Sequence, residues 1–200
     1  MKTLIILANI FLHNATFANA KFLPSSFKAS FIKKEKSLLS GKLLESKGNL
    51  YYKYPGRIRL EEKGKKQSVF VSNPHKTYYY KPPIFDGPGE LTISSTSNYP
   101  LTQFFDSLNS GLKNNDFFKV SKKQEQVFFS FTKKGKKELK ISDATLSFKR
   151  KVQFQLLKAV KITLSSGKKL NFELKDVDVN KRLKNKLFTF KEPKNTRVSR

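Results

Sequence analysis

No cysteine occurs anywhere in the 200-residue sequence. That excludes disulfides, a thiol nucleophile, a zinc–thiolate site and a lipid-modified N-terminal cysteine. Histidine is nearly as scarce: there are 2, His13 and His75, and the second stands beside Pro74 in an expected turn. A Ser-His-Asp arrangement as usually built, or a His-rich metal site, therefore lacks members. The 15 acidic residues are scattered along the chain among many more lysines, which suits a solvated surface better than a paired-carboxylate site. No Gly-rich phosphate loop is present. Beyond the N-terminus no stretch has the length and apolarity of a membrane helix. These absences leave binding as the expected class, with no enzymatic reaction, no cofactor and no metal.

What the sequence does have begins with Lys2, the apolar residues 4–12 and then Ala18-Asn19-Ala20. This reads as a secretory signal over residues 1–20, cleaved after Ala20, followed by a single domain over 21–200. Lys and Arg number 41, for a formal net charge of +26. Such a surface attracts polyanions. The basic residues are mostly lysines spread along the chain in doublets such as Lys33-Lys34, Lys65-Lys66, Lys122-Lys123 and Lys168-Lys169. Base-reading proteins concentrate arginine and a recognition helix on one face, and neither pattern is present, so nucleic acid is not the expected partner. Anionic lipid headgroups fit an exported cationic surface better, with transient contact at membrane surfaces.

The stretch Gly48–Leu60 reads as two strands broken by Pro55-Gly56. Leu50, Tyr52 and Tyr54 fall on one face of the first, and Ile58 and Leu60 on one face of the second, because strand side chains alternate. Asn49, Lys53, Arg57, Arg59 and Glu61 take the other side. Before it, Phe27, Ala29 and Phe31 share a face of a first strand, and residues 38–44 form a weaker one. After it come strands at 68–72 and 77–81, separated by a turn at Asn73–Lys76. Residues 82–100, rich in Pro, Gly, Ser and Thr, read as a long irregular connection. The one expected helix follows, where Leu101, Phe104, Phe105, Leu108 and Leu112 make a single apolar stripe, Pro100 starts the element and Gly111 or Asn114-Asn115 stops it. Alternation returns at 117–121, 126–133, 138–141, 145–149, 159–165 and 170–176, with Gly135 and Ser166-Gly167 as hairpin turns. Leu183, Leu187, Phe188 and Phe190 form a last turn and strand before a basic tail. The sum is mainly β: roughly ten or more antiparallel strands in a curved, open barrel with one helix. The 19 Phe and 7 Tyr mostly occupy strand alternations or the helix stripe. They serve either as ordinary core or as the wall of a pocket for something long and apolar.

Three stretches, in order, resemble the periplasmic outer-membrane lipoprotein carrier family, LolA: Phe27-Lys28-Ala29-Ser30-Phe31, Gly48-Asn49-Leu50-Tyr51-Tyr52-Lys53-Tyr54-Pro55-Gly56-Arg57-Ile58-Arg59, and Asn180 through Phe188-Thr189-Phe190-Lys191-Glu192-Pro193. The resemblance implies an unclosed antiparallel β-barrel with a helical lid over a hydrophobic cavity. It implies a monomeric, non-enzymatic periplasmic carrier that takes lipoprotein acyl chains from an inner-membrane ABC-type release complex to an outer-membrane lipoprotein receptor. On that reading Leu50, Tyr52, Tyr54, Phe70, Tyr80, Phe129 and Phe131 line the sheet side of the cavity. Phe104, Phe105 and Leu108 form the lid, in a segment of about 99–113. The sequence departs from the family where an arginine usually precedes the proline and ties the sheet to the lid; here that residue is Tyr54. Ile58 and Leu60 replace the usual aromatics of the next strand, and only Lys21–Ser26 remain for the helix that normally precedes the first strand. The alternatives are an envelope protein of the same fold that binds or senses another lipid, and a polyanion-binding module.

Overall fold

The computed structural model describes residues 21–36, 41–64, 67–94 and 99–200. The expected signal and His13 lie outside them. Strand β1 (Ser26–Lys36) buries Phe27, Ala29 and Phe31 on one face, as its alternation requires. β2 (Leu43–Lys53) and β3 (Arg57–Lys63) form the next hairpin, turning at Gly56, whose φ of 66° glycine adopts without strain. β4 (Ser68–Ser72), β5 (Thr77–Lys81) and β6 (Gly89–Ser94) continue the meander. Helix α1 (Pro100–Ser107) has Pro at its first turn, runs on as a 3-10 turn over Leu108–Ser110 and stops at Gly111. There follow β7 (Phe118–Lys123), β8 (Gln126–Phe131), helix α2 (Lys133–Leu139), β9 (Ile141–Phe148), β10 (Leu157–Leu164) and β11 (Lys169–Val179). A 3-10 turn at Asn185–Phe188 and strand β12 (Thr196–Ser199) end the chain.

All strands of the described residues join one 12-stranded sheet in the order β12-β6-β5-β4-β3-β2-β1-β11-β10-β9-β8-β7. Every pairing is antiparallel except that of β12 on β6. β7 and β12 are the two edges, so the barrel is unclosed, as expected. Antiparallel order also sorts the connections. Those between β1 and β2, β3 and β4, β5 and β6, β8 and β9, and β10 and β11 share one rim, called here the upper. The β2–β3, β4–β5, β7–β8 and β9–β10 turns share the lower.

The sequence expectation needs correcting at several elements. Residues 43–53 are one strand rather than parts of two, and 37–40 lie outside the described residues. The connection over 82–100 contains β6, whose Leu91 is buried. Residues 138–141 are not a strand of their own, and Gly135 is not a hairpin turn. Thr132 caps α2 by accepting from the Gly135 N–H at 3.1 Å, and β9 begins only at Ile141. Gly135 is there for close approach: a Cβ at that position would stand 2.1 Å from the Phe117 carbonyl oxygen. The chain therefore has two α-helices among its described residues, and the basic tail carries β12.

The inner, concave face holds the main core, from Phe27, Phe31, Leu50, Tyr52 and Ile58 on one side to Phe118, Phe129, Leu146, Ile162 and Phe172 on the other. Phe22 and Leu23, just ahead of β1, join it, with the Phe22 ring edge-on to Phe148 and Phe154. A smaller cluster lies on the outer face. There the C-terminal segment crosses β2 to β6 as a strap. Lys53 Nζ donates to the Leu183 carbonyl at 3.0 Å, Arg59 Nη1 to that of Leu187 at 3.2 Å and Asn73 Nδ2 to that of Phe188 at 3.0 Å. Phe190 packs on Tyr78 and Tyr80 before β12 pairs with β6. No helix among the described residues is long and apolar enough to cross a membrane.

Candidate functional site: an apolar cavity beside the Phe-rich helix

Leu101, Phe104, Phe105 and Leu108 form the stripe that helical periodicity requires, and all are buried against the concave face. Phe105 reaches one side: its ring centroid lies 5.2 Å from Phe27 and 5.3 Å from Tyr52. Phe104 reaches the other, 5.3 Å and edge-on to Phe129 and 6.3 Å from Phe131. The helix is thus seated inside the barrel as a plug. Its seat carries one cost, because the buried Thr102 hydroxyl has no hydrogen-bond partner among the described residues.

The plug leaves a space of about 320 Å³ at the upper rim. Leu60, Phe70, Tyr79, Leu164, Leu170 and Phe172 supply its sheet wall, and Tyr99 and Pro100, where the helix starts, supply the roof. Tyr99 stacks on Phe70 with centroids 4.1 Å apart, and burial raises its phenol pKa. The lining also carries charge. Lys33 pairs with Glu62, which also accepts from the Ser68 hydroxyl at 3.3 Å, and Glu35 and Lys168 complete the rim. Apolar walls beside a few charged groups suit an amphiphile, with its tail against the first and its head against the second. Among the described residues there is no cluster of His, Asp or Glu able to hold a metal ion.

The residues expected from sequence divide by location. Leu50, Tyr52, Phe129 and Phe131 lie on the concave face beneath α1, buried by it. Phe70 lies in the cavity wall itself. Two are misplaced by the sequence reading. Tyr54 lies beyond the end of β2, in the lower turn, and is 39% exposed. Tyr80 pairs with Val69 and faces outward onto Phe190; its neighbour Tyr79, paired with Phe70, faces the cavity. Paired residues share a face, so a slip of one position reverses the assignment.

Residues 24–191 match the family described as "Outer membrane lipoprotein carrier protein LolA". The chain belongs to the LolA family. Its fold is shared with an uncharacterized conserved protein from Thermus thermophilus, at 10% identity, with a TM-score of 0.50 over 90% of this chain and 92% of that one. A LolA superfamily protein, NE2245 from Nitrosomonas europaea, is similar at 9% identity and a TM-score of 0.48, over 85% and 92% of the two chains. No curated protein sequence matches this chain.

As a LolA-family chain with Tyr54 before the proline, it ties sheet to helix differently from the arginine expected at that position. Asp106, on α1, accepts from the Tyr52 hydroxyl at 2.5 Å and from the Gly56 N–H at 2.9 and 3.1 Å. A helix carboxylate thus clasps the β2–β3 turn. Burial raises the Asp106 pKa, with the Tyr52 and Gly56 hydrogen bonds opposing; burial and the nearby carboxylate raise that of Tyr52. A folded-state pKa above the unfolded one means that the fold binds the proton more tightly. The resulting stabilisation is complete below the ordinary carboxylate range and is lost as pH climbs through the raised value. Asp106→Asn, which keeps an acceptor but does not titrate, is therefore expected to be at least as stable as the wild type at pH 7 and to lose this part of the pH dependence. Asp106→Ala strands the buried Tyr52 hydroxyl and the Gly56 N–H, and should cost about 1–3 kcal/mol. Urea melts at pH 7 and pH 4.5 read both. Equal stability of the Asn and Ala variants would show that the clasp holds nothing.

Tyr79, Tyr99, Phe172 and Asp106 are absent from the sequence-derived site. Tyr79 is recoverable in principle: with a turn at Asn73–Lys76, Ser72 faces Thr77, and Phe70 must then face Tyr79. Phe172 does alternate as the sequence pattern expects. Only the long-range pairing of β11 with β1, which sets Phe172 against Lys33, brings it to the cavity.

Proposed function

We propose that this protein carries lipoproteins through the periplasm. It would receive their acyl chains from an inner-membrane ABC-type release complex and deliver them to an outer-membrane receptor. LolA-family membership supports the class, and the observation that carries the reading is the cavity of apolar wall and charged lining beside the buried helix α1. At about 320 Å³ it stands at the low end of ligand pockets, which span roughly 300–1,000 Å³. It takes the first part of a chain. Fuller uptake lifts α1, and hydrocarbon replaces Phe104, Phe105 and Leu108 against Leu50, Tyr52, Phe129 and Phe131. Each buried methylene contributes about 0.8 kcal/mol, so roughly 14 of them contribute on the order of 11 kcal/mol, close to what a bilayer offers. Transfer is then nearly neutral, and direction comes from work done at the donor and a better fit at the acceptor.

The test is release of lipoproteins from spheroplasts, with the bound ligand identified by mass spectrometry. Wild-type protein is expected to solubilise lipoproteins. Phe70→Asp should reduce release at least tenfold without unfolding, because Phe70 is only partly buried, in the cavity wall. Recovery of free lipid alone, with no lipoprotein released, would refute the proposal in favour of a carrier of other lipids.

A further inference from the structure

Ile84 and Phe85 are 80% and 87% exposed at the tip of the β5–β6 loop. The tip is held out rather than hanging loose. Pro82-Pro83 stiffen its entry, and at its exit Asn195 Nδ2 donates to the Gly87 carbonyl at 3.1 Å while the Gly89 N–H donates to the Asn195 carbonyl at 2.9 Å. By the strand order this loop stands on the upper rim, where the cavity opens. Leu43, 68% exposed at the start of β2, stands on the same rim. Exposed lysines stand on the same rim, among them Lys63, Lys81, Lys136, Lys137, Lys168 and Lys169, against Glu45, Asp86, Glu90 and Glu138. Lysine is common on the lower rim as well; the projecting apolar tips set the upper one apart.

We propose that the upper rim docks on an anionic phospholipid bilayer, with Ile84 and Phe85 entering the interface and the lysines meeting the headgroups. Aromatic and aliphatic side chains favour the headgroup–acyl boundary, and lysines beside them gain from anionic lipid. Docked in this way, the cavity mouth faces the membrane. The inference goes beyond the carrier reading, because bilayer docking needs no cargo and is tested without any.

The full chain contains no tryptophan, so Phe85→Trp places a lone indole reporter at the tip. With vesicles of equal phosphatidylcholine and phosphatidylglycerol, its emission should shift to the blue and be quenched by brominated acyl chains. Pure phosphatidylcholine vesicles and high salt should each weaken the response at least tenfold. In vesicle sedimentation, Ile84→Ser with Phe85→Ser should lose binding at least tenfold while melting like the wild type, and Tyr54→Ser on the lower rim should change nothing. An unshifted indole, or sedimentation that survives the double serine change, overturns the proposal. So does a double variant that fails in lipoprotein release when the wild type shows no vesicle binding, which would assign the tip to a protein partner.

Discussion

Phe105→Ala is expected to lower the unfolding free energy by about 3–5 kcal/mol, the range for emptying a large aromatic site in a core. Its ring is fully buried between Phe27, Tyr52 and, at 6.4 Å, Phe154. These neighbours belong to β1, β2 and the 3-10 turn at Phe154–Leu156, each fixed by other contacts, so they cannot collapse into the gap. Urea denaturation measures the loss. A loss below about 1 kcal/mol would mean that α1 rests lightly on the sheet rather than plugging it. The same measurement bears on cargo, because whatever lifts α1 must replace those contacts. An acyl chain laid along Tyr52 and Phe129 does so with hydrocarbon. The Ala variant, already short of them, should take up ligand more readily per molecule still folded.

Gly48→Val should be comparably damaging, at about 3 kcal/mol or more. Gly48 lies in the middle of β2, paired with Phe31 of β1 and Glu62 of β3. A Cβ there would stand 2.1 Å from the Glu61 carbonyl oxygen and 2.7 Å from the Phe31 ring. The ring could turn aside, but the carbonyl belongs to the backbone of the neighbouring strand and cannot without loosening the β2–β3 seam. Because the Phe31 ring lies 5.5 Å from Phe172 in the cavity wall, the damage should reach the site. Gly48→Ala is the milder control and should fall between the wild type and the valine variant. A valine variant whose midpoint equals that of the wild type would show that the seam yields freely.

Alternation and helical spacing make most of the sheet and the placement of α1 legible, since each is a local pattern read one element at a time. Phe27, Ala29 and Phe31 alternate because one face meets the core, and the stripe from Leu101 to Leu108 repeats because one side of a helix does. The failures lie where a residue answers to something distant. Gly135 carries the mark of a turn, yet it is a glycine because the Phe117 carbonyl passes beside a helix. β6 is hidden among prolines and glycines because its buried Leu91 faces outward, under the strap, rather than into the main core. Tyr80 and Tyr79 exchange roles through a single step of register. Asp106 carries no signal, since a lone acid on a helix gains meaning only when folding brings Gly56 and Tyr52 to it.

The central seam of the sheet joins Phe27 to Val179. A polypeptide appearing N-terminus first shows β1 long before its partner exists, and β6 waits longer still for β12 at Thr196–Ser199. Contacts so remote in sequence form slowly and late. The hairpins from β1 to β6 can flicker into being, but nothing locks them until nearly the whole length is out. The order in which its own strands are laid down thus withholds the finished sheet until the chain is nearly complete.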